Sequence, residues 1–357
     1  MLAGGLVEEL NSRQQMILGL VVREYVSTAA PVGSKGLADK FKLGVSSATI
    51  RNELARLEEM GYLSHPHTSA GRLPTDKGYR FFVERLMGET DLPLTEQRTI
   101  AHQFHQVRQD VNQWMKLAAA VLARTSRNAA LITAPQSSNA RFKHLQLIST
   151  QGKLVLLILV LQDGSVKQEM LTLAQALAQE TLEEASRRLN NTCENLSADG
   201  IAALRSNLQT FEAEIAGVLA DILQATEQRP SSLIYRDGLT EVLKQPEFER
   251  REESEVLLHV MEEHSSLLEE VFANTLNMNV GGVQVVIGGE GRWRELRDCS
   301  LVLGRYGVPD QAIGTLGVLG PTRMPYGRAI SAVRYVSDLM SDLVSDLYSH
   351  EEVVERD

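Results

Sequence analysis

The residues best suited to chemistry in this chain lie between positions 46 and 72. Ser46, Ser47, Thr49, Arg51 and Asn52 fall in one polar run, Ser46-Ser-Ala-Thr-Ile-Arg-Asn-Glu-Leu54. Spaced on a helix, they occupy its first turns, and Ile50, Leu54 and Leu57 mark the opposite, buried side. A guanidinium such as that of Arg51 can donate two parallel hydrogen bonds to guanine, and a carboxamide such as that of Asn52 can pair in the same two-pronged way with adenine. Ser46 and Ser47, with the free amides of a helix N-terminus, suit a phosphate, although serines here more often serve simply as caps. In the loop that follows, His67 and Ser69 add polar contacts, and Arg72 at its base could reach a phosphate or the minor groove. This is the chemistry of duplex recognition, not of catalysis.

Other constellations are weaker. Gly288-Gly289-Glu290-Gly291 lacks the Lys-Ser/Thr of a phosphate loop and reads as a turn after a strand. Cys299 begins an apolar strand and reads as a small core residue. His65 and His67 have no third ligand near them in sequence, so no metal is expected. His102 and His105, and the acidic pair Glu262-Glu263, fit a solvated surface. No catalytic spacing, cofactor site or metal site is expected.

The elements that must carry the polar run are short helices. Ser12, with Gln15 three residues later, can cap a first helix whose Leu18, Val21, Val22 and Tyr25 share a face. Pro31 and Gly33 interrupt it. Ser34 can cap a second, with Leu37, Ala38 and Phe41 inward. Lys42-Leu43-Gly44-Val45 is a tight turn in which Gly44 suits a positive φ, and Ser46 caps the third helix, which ends at Gly61. Two short helices around a glycine turn, the second with an exposed polar start, form a helix-turn-helix, and that second start is what enters the major groove. Tyr62–Ser64 and Leu73–Thr75 then read as two short strands around a polar loop, a wing. Asp76 to Met87 closes the unit as a helix.

Charge points to the same end of the chain. The 357 residues carry a net charge of -10, yet residues 1–88 hold 11 Lys/Arg against 9 Asp/Glu and stand at +2, leaving -12 for the rest. A polyanion would therefore prefer the N-terminal quarter. A hydrophobic fraction of 43% with 23% charged residues excludes a wholly disordered chain. The longest apolar run, Leu154–Leu161, is far short of the about 20 residues of a membrane helix. The start lacks the pattern of a secretory signal, and two distant cysteines make no disulfide framework, so a reducing cytoplasm is expected.

Beyond position 88 the pattern is mixed. A linker is expected over 89–100, then a long helix from Thr95 to Arg127. Three strands follow, Arg141–Ser149, Lys153–Gln162 and Ser165–Leu173, the last two joined by an Asp163-Gly164 turn. Helices are expected over Gln179–Asn190, Ile201–Thr226 and 247–276, then strands at Val283–Ile287, Cys299–Arg305 and Gly314–Leu319, and a last helix over Gly327–Ser349. Strands, helices and strands again suggest an antiparallel sheet interrupted by a helical insertion, an α+β design.

The same residues resemble the HrcA family of bacterial repressors of heat-shock chaperone operons. The match runs through Arg13-x-Gln-x-Ile-Leu18, Pro31-Val-Gly-Ser34, the Ser46–Leu54 run, Leu57-Glu-x-x-Gly-Tyr62, Pro66-His-x-Ser-Ala-Gly-Arg72-x-Pro-Thr and Gly78-Tyr-Arg80. It resumes in Pro246-Glu-Phe248, Val286-Ile-Gly288 with Glu290, Cys299-Ser-Leu-Val302, and Gly314-x-Leu-Gly-Val-Leu-Gly-Pro-x-Arg-Met324-x-Tyr326. The resemblance implies a winged helix over 1–88, a linker over 89–103, a GAF-like domain in two segments, 104–190 and 277–350, and a mostly helical dimerisation domain inserted over 191–276. It implies a homodimer that represses chaperone genes from an inverted-repeat operator in double-stranded DNA, lets go on heating, and is kept competent by the chaperonin GroEL. It places the protein in the cytoplasm at the nucleoid. DNA contacts are expected at Ser46, Ser47, Thr49, Arg51, Asn52, His67, Ser69 and Arg72. The rival reading is a small-molecule sensor built on the GAF-like domain.

Overall fold

The computed structural model describes residues 10–354, apart from 42–43, 67–70, 89, 108–109, 138–139, 163, 229–233, most of 249–265, 274–278, 291–292 and 310. The N-terminal unit has helices α1 (Ser12–Thr28), α2 (Ser34–Phe41) and α3 (Ser47–Glu59), strands β1 (Leu63–Ser64) and β2 (Leu73–Pro74), and α4 (Asp76–Phe81), which runs into a π-helical turn, Phe82–Leu86. Ile17, Leu18, Val21, Val22, Ile50, Leu54 and Leu57 make its core. The start of α1 differs by one residue from the sequence reading. Asn11, not Ser12, caps it: its Oδ1 accepts the Gln14 N–H at 2.9 Å and Gln14 Oε1 accepts the Asn11 N–H at 3.0 Å. Gly44 has the expected positive φ, +67°.

The expected long helix over 95–127 is two helices, α5 (Leu94–His105) and α6 (Val111–Ser126). Asp110 divides them, because its Oδ1 accepts the Asn112 N–H at 2.8 Å and so starts a new helix. Much of the expected linker is thus helical.

The main sheet is antiparallel, in the order β8-β3-β11-β10-β9, with β4 also paired to β11. Its strands are β3 (Ala129–Thr133), β4 (Gln136–Ser137), β8 (Ile234–Asp237), β9 (Val283–Ile287), β10 (Cys299–Val308) and β11 (Ala312–Pro321). Alternation sorts its side chains. Ala130, Ile132, Val302, Leu316 and Val318 face α6 and the C-terminal helix Tyr326–Val354 in a core continuous with that of the N-terminal unit. Ala129, Leu131, Leu301, Leu303 and Leu319 face Phe248, Leu268, Phe272 and Trp293.

The remaining strands, β5 (Phe142–Gln151), β6 (Leu154–Leu161) and β7 (Val166–Thr172), form a separate three-stranded sheet. Helices α7 (Gln179–Cys193), α8 (Ala198–Leu204) and α9 (Thr210–Gln228) cover one of its faces. This moves the insertion. It takes in residues 140–228, sheet included, where the sequence reading assigned the strands to the main sheet and placed the insertion at 191–276. The cause is that β3 and β8 close the main sheet on either side of the insertion, pairing with each other at Ala130–Thr133 and Ile234–Asp237. Helices still outweigh strands in the insertion, and the whole is α+β as expected.

Candidate nucleic-acid interface

The start of α3 is built by local capping. Ser46 Oγ accepts the Thr49 N–H at 3.1 Å and lies 3.0 Å from Thr49 Oγ1. Ser46 and Thr49 therefore satisfy each other, and Thr49 is half-buried. Ser47, Ala48, Arg51 and Asn52 are exposed on the outer face, with Ile50, Glu53 and Leu54 turned inward. Arg56 is exposed one turn beyond Asn52, on the same side. The sequence reading passed it over, although the i, i+4 spacing from Asn52 was available to find it. Glu53 is nearly buried, and Arg13 of α1 lies 3.7 Å from its Oε1, which ties α1 to α3 behind the exposed face.

The wing is fixed to α3 by one carboxylate. Glu58 holds His65, just after β1, on one oxygen, and Arg72, just before β2, on the other at 2.6 Å. The main chain of Arg72 also pairs both ways with Val32, in the connection between α1 and α2, at 2.9 Å. Arg72, expected to reach a phosphate or the minor groove, thus has one guanidinium nitrogen paired with Glu58 at the base of the wing. His67 and Ser69 lie outside the described residues.

The weaker constellations have structural roles. Gly288–Glu290 is a 3-10 turn whose Gly289 N–H donates to Asp76 Oδ2 at 2.9 Å, so that amide serves the chain's own carboxylate. Cys299 is buried on β10, and burial, with Asp298 beside it, pushes its thiol up to about 12. Burial also raises Cys193. Among the described residues no helix is long and apolar enough to cross a membrane, and no group of three His, Cys, Asp or Glu side chains could hold a metal ion.

The uncovered face of the insertion sheet is a second surface. On β6, Val155, Leu157, Leu159 and Leu161 are buried against the helices, whereas Leu154, Leu156, Ile158 and Val160 point away from them. Leu156 sits between Ile148 and Met170, and Val160 faces Val166. Val166 and Met170 are each 53% exposed. An uninterrupted apolar strand is the pattern of one covered on both faces, yet among the described residues of one chain β6 is covered on one.

Residues 112–330 match the family model described as the HrcA protein C-terminal domain. The chain is 48% identical over 352 residues to the heat-inducible transcription repressor HrcA of Herpetosiphon aurantiacus, covering 97% of this chain and 98% of that one. It is 45% identical over 354 residues to the repressor of the same name from Roseiflexus castenholzii, covering 96% and 97%. Over 359 residues it is 43% identical to that of Chloroflexus aurantiacus, covering 95% of each. A crystal structure of a hypothetical protein at 2.2 Å resolution shares the fold, with a TM-score of 0.59 at 23% identity over 95% of this chain and 99% of that one. With near-complete coverage at this identity, the chain belongs to the HrcA family of heat-inducible transcription repressors, a family of regulators and not of enzymes.

Proposed function

We propose that this repressor is a cytoplasmic, nucleoid-associated homodimer that blocks chaperone operons by placing its two α3 helices in the major grooves of an inverted-repeat operator. The observation that carries this reading is the outer face of α3, where Arg51 and Asn52 stand exposed beside a wing anchored by Glu58. In this reading Arg51 reads guanine, Asn52 reads adenine, and Ser47 and Arg56 contact the backbone. Ser46 and Thr49 shape the helix start. Arg72 positions the wing, whose loop residues His67 and Ser69 approach the DNA.

The dimer in this reading forms through the uncovered face of β5-β6-β7. Its central strand has the composition of a strand covered on both sides, and an identical copy supplies an identical apolar face about a two-fold axis, which matches the symmetry of an inverted repeat. Either reader alone binds weakly, so loss of the dimer on heating removes most of the operator affinity through the lost effective concentration. The chaperonin GroEL, in this reading, returns heat-damaged protein to the competent state. A footprint on the operator upstream of the organism's own chaperone genes tests this, repeated after a heat step and with chaperonin added. Two symmetric protected half-sites, lost on heating and regained with chaperonin, support it.

A second reading, a metabolite sensor, is favoured by one observation. A cavity of about 440 Å³ lies between the reader and the main sheet, lined by Val83, Met87, Val285, Ile330, Arg80 and Arg334 among others, and its size suits a small ligand. A thermal-shift screen separates the two readings, since a metabolite that stabilises the protein and changes its operator affinity favours the sensor.

A further inference from the structure

Four of the motifs outside α3 that carry the family resemblance, those of Gly78–Arg80, Pro246–Phe248, Val286–Glu290 and Arg323–Tyr326, are far apart in the chain yet meet at one place, where α4 rests on the main-sheet domain. Asp76, Tyr79 and Arg80, at helical i, i+3, i+4 spacing, form the contacting face of α4. Arg80 Nε lies 3.1 and 3.0 Å from the two carboxylate oxygens of Glu290, and its Nη2 donates to the Val285 carbonyl at 2.8 Å. Asp76 takes the Gly289 N–H beside it. The approach is close. A Cβ built on Gly288, whose φ is +47°, would fall 2.5 Å from Asp76 Oδ1.

A second arginine closes the other side. Arg323, in the turn after β11, has a side chain only 12% exposed. It grips Glu247 with two nitrogens, donates to Gln245 Oε1 at 2.8 Å, and donates to the Val26 carbonyl in α1 at 3.2 Å. Between the two arginines, the rings of Tyr79 and Tyr326 meet with centroids 5.8 Å apart. Tyr326 is anchored in turn by donating to the Thr322 carbonyl at 2.6 Å. Two-pronged guanidinium–carboxylate pairs fix direction as well as distance. With this joint closed, Arg51 and Asn52 remain exposed. The joint therefore leaves the reading face open and sets the direction in which it points.

We propose that Arg80 with Glu290, and Arg323 with Glu247, are positioning residues that determine which operator spacing the repressor accepts. This rests on the reading of the protein as a dimer on an inverted repeat. Adding one base pair between half-sites shifts them by about 3.4 Å and turns one against the other by roughly 35°. A rigid joint cannot follow such a change, whereas a loosened joint can.

The test is binding of the full-length protein to a set of inverted repeats whose spacers differ by single base pairs, together with a lone half-site and a scrambled duplex. Wild type is expected to prefer one spacing over its neighbours by about tenfold or more, because only that spacing gains the second contact. The double variant Arg80→Ala, Arg323→Ala should bind the optimal spacing roughly 10- to 100-fold more weakly and discriminate spacings less than about threefold, while still preferring the half-site to scrambled duplex. The exchange Arg80→Glu, Glu290→Arg should restore in part the spacing preference lost in Arg80→Glu alone, which a general loss of stability would not allow. Arg80→Lys with Arg323→Lys keeps charge but not the two-pronged geometry. It covers the case where the alanine variant does not fold, and should also broaden spacing. An unchanged, sharp preference in a folded double variant overturns the proposal. So does tighter operator binding by that variant, which would mean that the joint holds the readers away from DNA. If wild type prefers no inverted repeat over the scrambled duplex, the operator reading itself fails, a result distinct from either.

Discussion

Replacing Ile158 by aspartate puts a carboxylate at the centre of the uncovered face of the insertion sheet. Ile158 lies on β6 between Gln146 of β5 and Gln168 of β7 and is half-buried. In a single chain the new carboxylate reaches water, so folding stability should change by less than about 1 kcal/mol. In a two-fold dimer through this face the substitution occurs twice, and each unpaired carboxylate loses its water. At about 2–3 kcal/mol per charge, the dimer weakens by roughly 5 kcal/mol. That raises the dimer dissociation constant by about 10³- to 10⁴-fold. Sedimentation velocity over a concentration series should find wild type dimeric where Ile158→Asp is monomeric, with matching far-ultraviolet circular dichroism. Operator affinity of the variant should fall by about a hundredfold or more. A folded Ile158→Asp protein that dimerises as tightly as wild type would refute the placement of the interface on this face.

Arg51→Ala should cost about 1–3 kcal/mol of specific binding and relax the choice at one base pair, as read by gel shift against single-position operator variants. Arg72→Ala should weaken operator binding while leaving the salt slope close to wild type, because its guanidinium is held by Glu58; a slope smaller by about one unit would instead show a phosphate contact. With Cys193 and Cys299 buried and their thiols raised, neither should react with a thiol reagent at neutral pH before unfolding; fast labelling would contradict their placement. Burial raises the hydroxyls of Tyr79, Tyr306 and Tyr326 above the ordinary value of 10.0. A raised folded-state value contributes stability that is present below the unfolded value and lost as pH rises toward the folded one. Stability should therefore drop above about pH 10, and these three tyrosines should ionise together with unfolding in an alkaline absorbance titration.

The reader was legible because its signals are local. A cap, a glycine turn and i, i+3, i+4 apolar spacing lie within a few residues of one another, and the exposed face of α3 follows from the same period that buries Ile50, Leu54 and Leu57. Strand β3 was not legible. Ala129–Thr133 is buried throughout, so it shows no alternation, and five residues directly after a helix carry too little pattern to mark a strand. Without β3 and β8, nothing in the pattern told β5, β6 and β7 from members of the main sheet, since alternation fixes which face a residue takes but not which strand it pairs with. The pairing of Arg72 with Glu58 was hidden for a similar reason, since no local rule joins two residues 14 positions apart on either side of a wing. Arg80, Glu290, Arg323 and Glu247 were all present in the motifs, but Arg80 and Glu290 stand 210 positions apart, and no local rule joins them.

The central claim, that paired α3 tips read two half-sites at once, is tested most directly by a hydroxyl-radical and base-methylation footprint of the purified full-length protein on its own chaperone promoter. The expected result is two protected half-sites related by a two-fold axis, with guanine N7 shielded in the major groove at each, and with that shielding lost on both sides in Arg51→Ala. Protection of a single half-site by wild type, or guanine protection that survives Arg51→Ala unchanged, would contradict it.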